Sequence, residues 1–228
     1  MSVIERTGSY GKYYGSPWGS SSPCNSSQMA TNAKYIYAYL KAKGWTANAV
    51  AGLLGNMQAE SSINPGRWQS DKVDVGPAYG IVQWDPHSKY INWCSEQGYS
   101  DPSEMDNNLA RIIYELENQI QWYATSKYNF SFSEFATSKE SPAYLGAAFV
   151  LNYERPADQS ESVQNYRGSL ATAWYEVIIG TEPDNPDPDN PDPDNPNPDN
   201  PEGGFGTFKR RKYKFILFKK RRYLYGQR

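Results

Sequence analysis

Between residues 29 and 180 the apolar positions recur at helical spacing, interrupted once. Thr31 can cap a helix that carries Tyr35, Ile36, Ala38, Tyr39 and Leu40 and that Gly44 ends. Thr46 can cap a second, bearing Val50, Leu53, Leu54 and Met57 at i, i+3, i+4 and i+7. The pattern resumes over residues 87–97 with Tyr90, Ile91 and Trp93, then, past a loop at 98–101, over 106–125. There Leu109, Ile112, Ile113, Leu116, Ile120 and Tyr123 form one stripe, read as core. Shorter helices are predicted at 131–138, with Phe132 and Phe135 three apart, and at 142–153, which is apolar almost throughout and therefore expected to be central. A last helix spans 159–178, with Tyr166, Leu170, Trp174 and Val177.

The interruption, residues 62–86, contains Asn64-Pro65-Gly66, the polar run Ser70–Pro77 and the β-like run Tyr79–Trp84. It reads as a turn and a small irregular β-hairpin. The predicted fold class is α+β: a mainly helical domain over 29–180 with one small hairpin. Residues 1–28, rich in Gly, Ser, Tyr and Pro without periodicity, read as an irregular N-terminal extension.

Charge divides the chain beyond residue 180 into two segments. Residues 183–202 are four pentads of the type Pro-Asp-Asn-Pro-Asp, with nothing apolar to bury, so 181–204 is predicted to be an extended linker. At ~3.1 Å per residue it would reach roughly 60 Å. Residues 203–228 carry ten bases and no acid, interleaved with Phe and Tyr. This segment, 205–228, suits an anionic polymer or a membrane surface, although its apolar run Phe215–Phe218 is far too short to span a bilayer. The first residues, Met-Ser-Val-Ile-Glu-Arg, lack an apolar stretch, so no secretory signal is expected.

Cys24 and Cys94 lie 70 positions apart and could pair or remain free. With His87 as the sole histidine, a zinc site is not expected, which argues against a metalloamidase or metallopeptidase. A Cys/His peptidase is disfavoured because His87 and Cys94 are only seven residues apart. No cofactor is called for.

Glu60 is the main chemical candidate. At ~100° per residue it lies about 20° from Leu53 and about 60° from Met57, so it projects from the apolar face of the second helix. Burial and the helix C-terminus would both raise its pKa towards that of a general acid. The plainer reading is a solvated glutamate at a frayed end. Aromatic residues make up 15% of the chain, a content that serves sugar-binding clefts as well as ordinary cores.

Three ordered motifs carry a resemblance: Gly55-Asn-Met-Gln-Ala-Glu60-Ser-Ser-Ile-Asn-Pro65, Ala78-Tyr-Gly-Ile-Val-Gln83-Trp84 and Asn152-Tyr153-Glu-Arg-Pro156. Together with Gly44-Trp-Thr and Arg111-Ile-Ile-Tyr-Glu115, they make the chain from about Ala33 to the 170s similar to the phage tail-tip lysozyme family. The lysozyme half of phi29-like tail-knob wall-degrading proteins is especially similar. The resemblance implies a lysozyme-like fold, also related to goose-type lysozymes and lytic transglycosylases, whose Glu-Ser and Gly-x-x-Gln motifs correspond to Glu60-Ser61 and Gly80–Gln83.

It further implies a muramidase acting on bacterial peptidoglycan. Glu60 would be the general acid, Gln83 would position substrate or water, and Tyr153 would face the cleft or pack beneath it. Tyr79, Trp84 and Asn64 complete the substrate-binding candidates. Asp71 and Asp74 are the candidates for a second carboxylate, with Asp85 a third. Without one, the sugar's own 6-hydroxyl could attack, the lytic transglycosylase outcome.

In the phi29-like architecture a zinc endopeptidase domain comes next; here the linker and basic segment do, so peptide cleavage is not implied. Other phage tail proteins are further candidate partners, and nucleic acid is the last option. The resemblance places the protein in a virion tail or at the host wall, in entry or lysis. A non-catalytic tail or wall-binding protein and a membrane-active module are the readings from other classes.

Overall fold

A computed structural model describes residues 3–180; the predicted linker (181–204) and basic segment (205–228) lie outside the described residues. The chain begins with two five-residue strands, β1 (Ile4–Gly8) and β2 (Gly11–Gly15), paired antiparallel with Ile4 opposite Gly15 and Gly8 opposite Gly11. The hairpin therefore lies in the segment expected to be irregular. Gly11, at φ +104°, supplies the left-handed conformation that its tight turn requires. The strands are held from elsewhere in the chain: Arg6 pairs with Asp101 at 2.6 Å and with Glu104, and Tyr13 donates to Glu104. Such distant partners leave no mark on the local sequence pattern.

Seven α-helices complete the described residues: α1 (Ser26–Lys41), α2 (Ala47–Ser61), α3 (Ser88–Glu96), α4 (Met105–Glu117), α5 (Phe132–Thr137), α6 (Pro142–Phe149) and α7 (Glu161–Ile179). The described structure is thus mainly helical with one two-stranded hairpin. Helix α1 starts earlier than Thr31 because Asn25 and Gln28 form a reciprocal capping box. Thr46 caps α2 as predicted, its side chain accepting from Ala49 N.

Helix α4 stops eight residues short of the predicted end. Asn118 donates to the Tyr114 carbonyl, Gln119 and Gln121 take positive φ, and Ile120 and Tyr123, assigned to the apolar stripe, are exposed. Beyond α6 the backbone continues as a π-helical turn, Val150–Glu154, closed by Arg155 N donating to the Val150 carbonyl at 2.8 Å.

Helix α2 is the centre of the core. Residues Ala49 to Met57 are buried throughout, and α6 and α7 pack against it and each other. The approach depends on the absence of side chains. A Cβ on Gly55 would sit 2.7 Å from the Ala171 nitrogen and the Arg167 carbonyl of α7.

Residues 62–86 hold no strand pair. They contain a 3-10 turn, Gln69–Asp71, and two single-residue bridges, Trp68 to Tyr79 and Tyr79 to Trp84. Asn64, fully buried, ties this segment to the N-terminal one. Its Oδ1 accepts from Ser16 N (3.0 Å) and Gly66 N (2.9 Å), and its Nδ2 donates to Ser16 Oγ (2.9 Å) and the Ser22 carbonyl (2.6 Å). Asn64→Ala strands two buried amide groups, each costing about 1–3 kcal/mol. A drop in stability of about 2–4 kcal/mol is expected, read from the shift of the urea unfolding midpoint.

Candidate active site

The last turn of α2 presents Glu60, whose side chain is 22% exposed. Its Oε1 accepts from Arg167 Nη2 of α7 at 2.5 Å, and Arg167 Nη1 donates to the Asn56 carbonyl at 2.9 Å. One guanidinium therefore fixes both the acid and the backbone of the helix that carries it. The next residue, Ser61, is buried; its Oγ bonds the carbonyls of Met57 (3.0 Å) and Ile81 (2.7 Å). The Glu-Ser pair thus joins the helix end to the loop that bears Gln83.

That loop turns tightly. Gly80 has φ +92°, and a Cβ there would lie 2.7 Å from the Trp84 ring. Gln83 itself has φ +53°, and its Nε2 donates to the carbonyls of Arg67 (3.0 Å) and Gly80 (2.8 Å). Its amide nitrogen is spent on the loop, which leaves the side-chain oxygen as the group available to a ligand.

A cleft of about 220 Å³ is lined by Val82, Gln83, Trp84, Asp85, Lys89, Gln121, Tyr153, Glu154 and Arg155. The π-helical turn after α6 forms one wall and the Gln83 loop another. Glu60 is not among the lining residues; it is linked to them through Arg167 and through its repulsion of Glu154. Glu154 was not among the candidates read from sequence. Its Oε1 is sealed from solvent and accepts no hydrogen bond. Burial first, then the negative charge of Glu60, holds its carboxyl well above the usual range, against the pull of Arg167. The signal was present: an acid directly after the almost wholly apolar run of residues 142–153.

The remaining candidates divide between core, surface and cleft. Tyr153 is buried, its ring stacked on Phe149 at 4.3 Å and its hydroxyl donating to Glu115 of α4, so the side chain packs beneath the cleft. Trp84 is also buried, stacked on Tyr90 at 4.4 Å, with Nε1 donating to Glu115 at 2.9 Å. Tyr79 lies in the core between Trp68 and Trp18 and, like Asn64, has no exposed surface. Asp71 and Asp74 are exposed; Asp71 pairs with Arg67 at 2.7 Å and accepts from Ser21 Oγ at 2.9 Å. The third alternative, Asp85, does line the cleft.

The thiols are inert structural groups. Cys24 and Cys94 are both free and buried, and burial pushes them up to about 12 and about 11, away from the thiolate a nucleophile needs. His87 is occupied by the Gly76 carbonyl at 3.1 Å. Among the described residues no cluster of His, Cys, Asp and Glu could hold a metal ion, and no helix is long and apolar enough to cross a membrane.

Residues 31–178 match the family model for phage tail lysozyme. Morphogenesis protein 1 of Bacillus phage B103 is 42% identical over 154 residues, which are 67% of this chain and 40% of that protein. The match therefore spans less than half of the relative's own length.

Proposed function

The chain belongs to the phage tail lysozyme family, and from that premise we propose that it is a muramidase cutting the β-1,4 bond between N-acetylmuramic acid and N-acetylglucosamine. The observation that carries this reading is the joint fixing of Glu60 and Gln83: Arg167 holds the acid, and Ser61 binds its helix end to the Gln83 loop. Cleavage needs a proton on a poor alkoxide leaving group, and Glu60 supplies it as the C1–O bond breaks. Gln83 orients the sugar or the attacking water through its side-chain oxygen. Trp84 and Tyr153, which line the cleft with rings anchored in the core, shape its wall. Asp71 and Asp74 would reach a substrate only if their exposed segment moved inward.

The relative's description as a phage morphogenesis protein supports a place in the virion tail, beside other tail proteins and facing peptidoglycan. The basic residues 205–228 would add affinity for anionic wall polymers or membrane.

Mass spectrometry of digested peptidoglycan tests the bond assignment. Reducing N-acetylmuramic ends are expected. Anhydro ends would mean that the sugar's 6-hydroxyl attacks and the enzyme is a transglycosylase. Released peptides with intact glycan would overturn the glycosidase reading.

A further inference from the structure

Tyr123 continues the apolar spacing of α4, yet it is 63% exposed. The segment that carries it is firmly held. Tyr123 N donates to the Asn152 carbonyl at 2.9 Å, and Gln121 Nε2 donates to the Tyr153 carbonyl at 3.1 Å. Thr125 donates to Asn152 Oδ1 through both its backbone nitrogen (3.1 Å) and its hydroxyl (2.9 Å), and Arg155 Nη1 returns a bond to the Gln121 carbonyl. Between these ties Trp122 turns inward, stacked on Phe132 at 5.0 Å with Nε1 donating to the Phe130 carbonyl at 2.7 Å. Residues 121–125 are therefore fastened to the π-helical turn and to the core, and they present one aromatic ring to solvent.

That ring stands at the rim of the cleft. The Arg155 guanidinium lies over it, 4.3 Å from the ring centroid, and both Arg155 and Gln121 line the cleft. Arg155 is itself fixed by the carbonyls of Gln121 and Asn152. A guanidinium covers one face of a ring, so the exposure of Tyr123 leaves the opposite face open. The cleft holds about 220 Å³, below the roughly 300–1,000 Å³ of most small-molecule sites. A polymer of linked sugars that enters it must continue over the neighbouring surface. The flat face of a pyranose carries C–H groups, whose slight positive charge suits the negative face of an aromatic ring. Tyrosine offers that face at a small entropic cost, having few rotatable bonds to fix.

We propose that Tyr123, backed by Arg155, is a sugar-binding subsite outside the cleft: the free face of its ring stacks on a pyranose of the glycan strand beyond those held in the cleft. The substrate class rests on the muramidase reading above. The subsite adds contact only for strands long enough to reach it, so it makes the protein select long glycan over short fragments.

The test compares kcat/KM of the full chain on peptide-free peptidoglycan strands and on short fragments cut from them. Tyr123→Ala retains the backbone bond to Asn152 and removes the ring. It is expected to lower the preference for long strands about tenfold, mostly through KM, the scale of losing one well-placed aromatic contact. Tyr123→Phe, which retains the ring, is expected to restore most of that preference. An unchanged preference in Tyr123→Ala, or an equal loss on long and short substrates, overturns the proposal. NMR of ring-labelled tyrosine in the Glu60→Gln chain reads binding without cleavage, with the Tyr123 signal identified by its loss in the added Tyr123→Ala variant. Long strands are expected to shift that signal, and an unmoved signal overturns the subsite. If the parent chain leaves glycan uncut while the Tyr123 signal shifts, the muramidase reading has failed and the subsite stands; if glycan is cut and the signal does not move, only this inference has failed.

Discussion

Glu60→Gln is expected to lower wall-clearing activity by about 10²–10⁴-fold, the contribution of one positioned proton donor. The substitution removes the proton and little else. Gln has the same length, and its carbonyl oxygen can still accept from Arg167 Nη2, so the link between α2 and α7 survives in weakened form. The guanidinium also retains Glu154 as a neighbouring acid. The fold is therefore expected to persist, checked by an unchanged near-ultraviolet circular dichroism spectrum. Turbidity clearing of purified cell walls reads the activity. Clearing within tenfold of the parent would remove Glu60 from the role of acid and return the chain to a wall-binding or structural reading.

How far the sequence carried depended on whether the cause of a feature was local. Helix α2 was legible in full because Thr46, the i, i+3, i+4, i+7 spacing and the phase of Glu60 are properties of the helix alone. The N-terminal hairpin was not, because its anchors lie about 90 to 100 positions away: Arg6 on Asp101, Tyr13 on Glu104. The end of α4 misled for a different reason. Ile120 and Tyr123 continue the apolar period past Asn118, but the backbone leaves the helix there and both side chains face solvent.

The site obeyed the same rule. Glu60 and Gln83 lie in recognisable motifs, and the structure joins them through Ser61. Trp84 and Tyr153 do line the cleft although their rings are packed into the core, while Tyr79 lies wholly within it, a distinction that an aromatic side chain in a motif does not reveal. Glu154 could have been flagged from its apolar surroundings, but its relation to Glu60 depends on how α2, α7 and the π-helical turn converge, which no spacing reveals.

The two walls of the cleft share a buried support, and its removal should be the most damaging change outside the acid itself. Glu115, 1% exposed, accepts from Trp84 Nε1 at 2.9 Å, from Arg111 Nε at 2.8 Å and from the Tyr153 hydroxyl. Trp84 comes directly after Gln83 and Tyr153 precedes Glu154, so one carboxylate ties both walls of the cleft to α4. Burial pushes the Glu115 carboxyl up, and the hydrogen bond from Tyr153, the charge of Arg111 and its hydrogen bond pull it down. Glu115→Leu leaves Arg111 as an uncompensated charge that is 9% exposed, sandwiched against the Trp93 and Tyr114 rings, and strands the Trp84 and Tyr153 donors. Breaking a buried pair from one side costs about 3–5 kcal/mol, a large share of a domain's usual stability of roughly 5–15 kcal/mol. A fall in melting temperature of roughly 10 °C is expected. Adding Arg111→Met removes the orphaned charge and should recover part of the loss, because an apolar replacement of a buried ion pair is often close to neutral. Glycan cleavage should not recover with it, since Trp84 and Tyr153 still lack their common acceptor. If the double variant were as unstable as the sum of the two single changes, Glu115 would be acting through its bonds to the cleft walls alone and not through its pairing with Arg111.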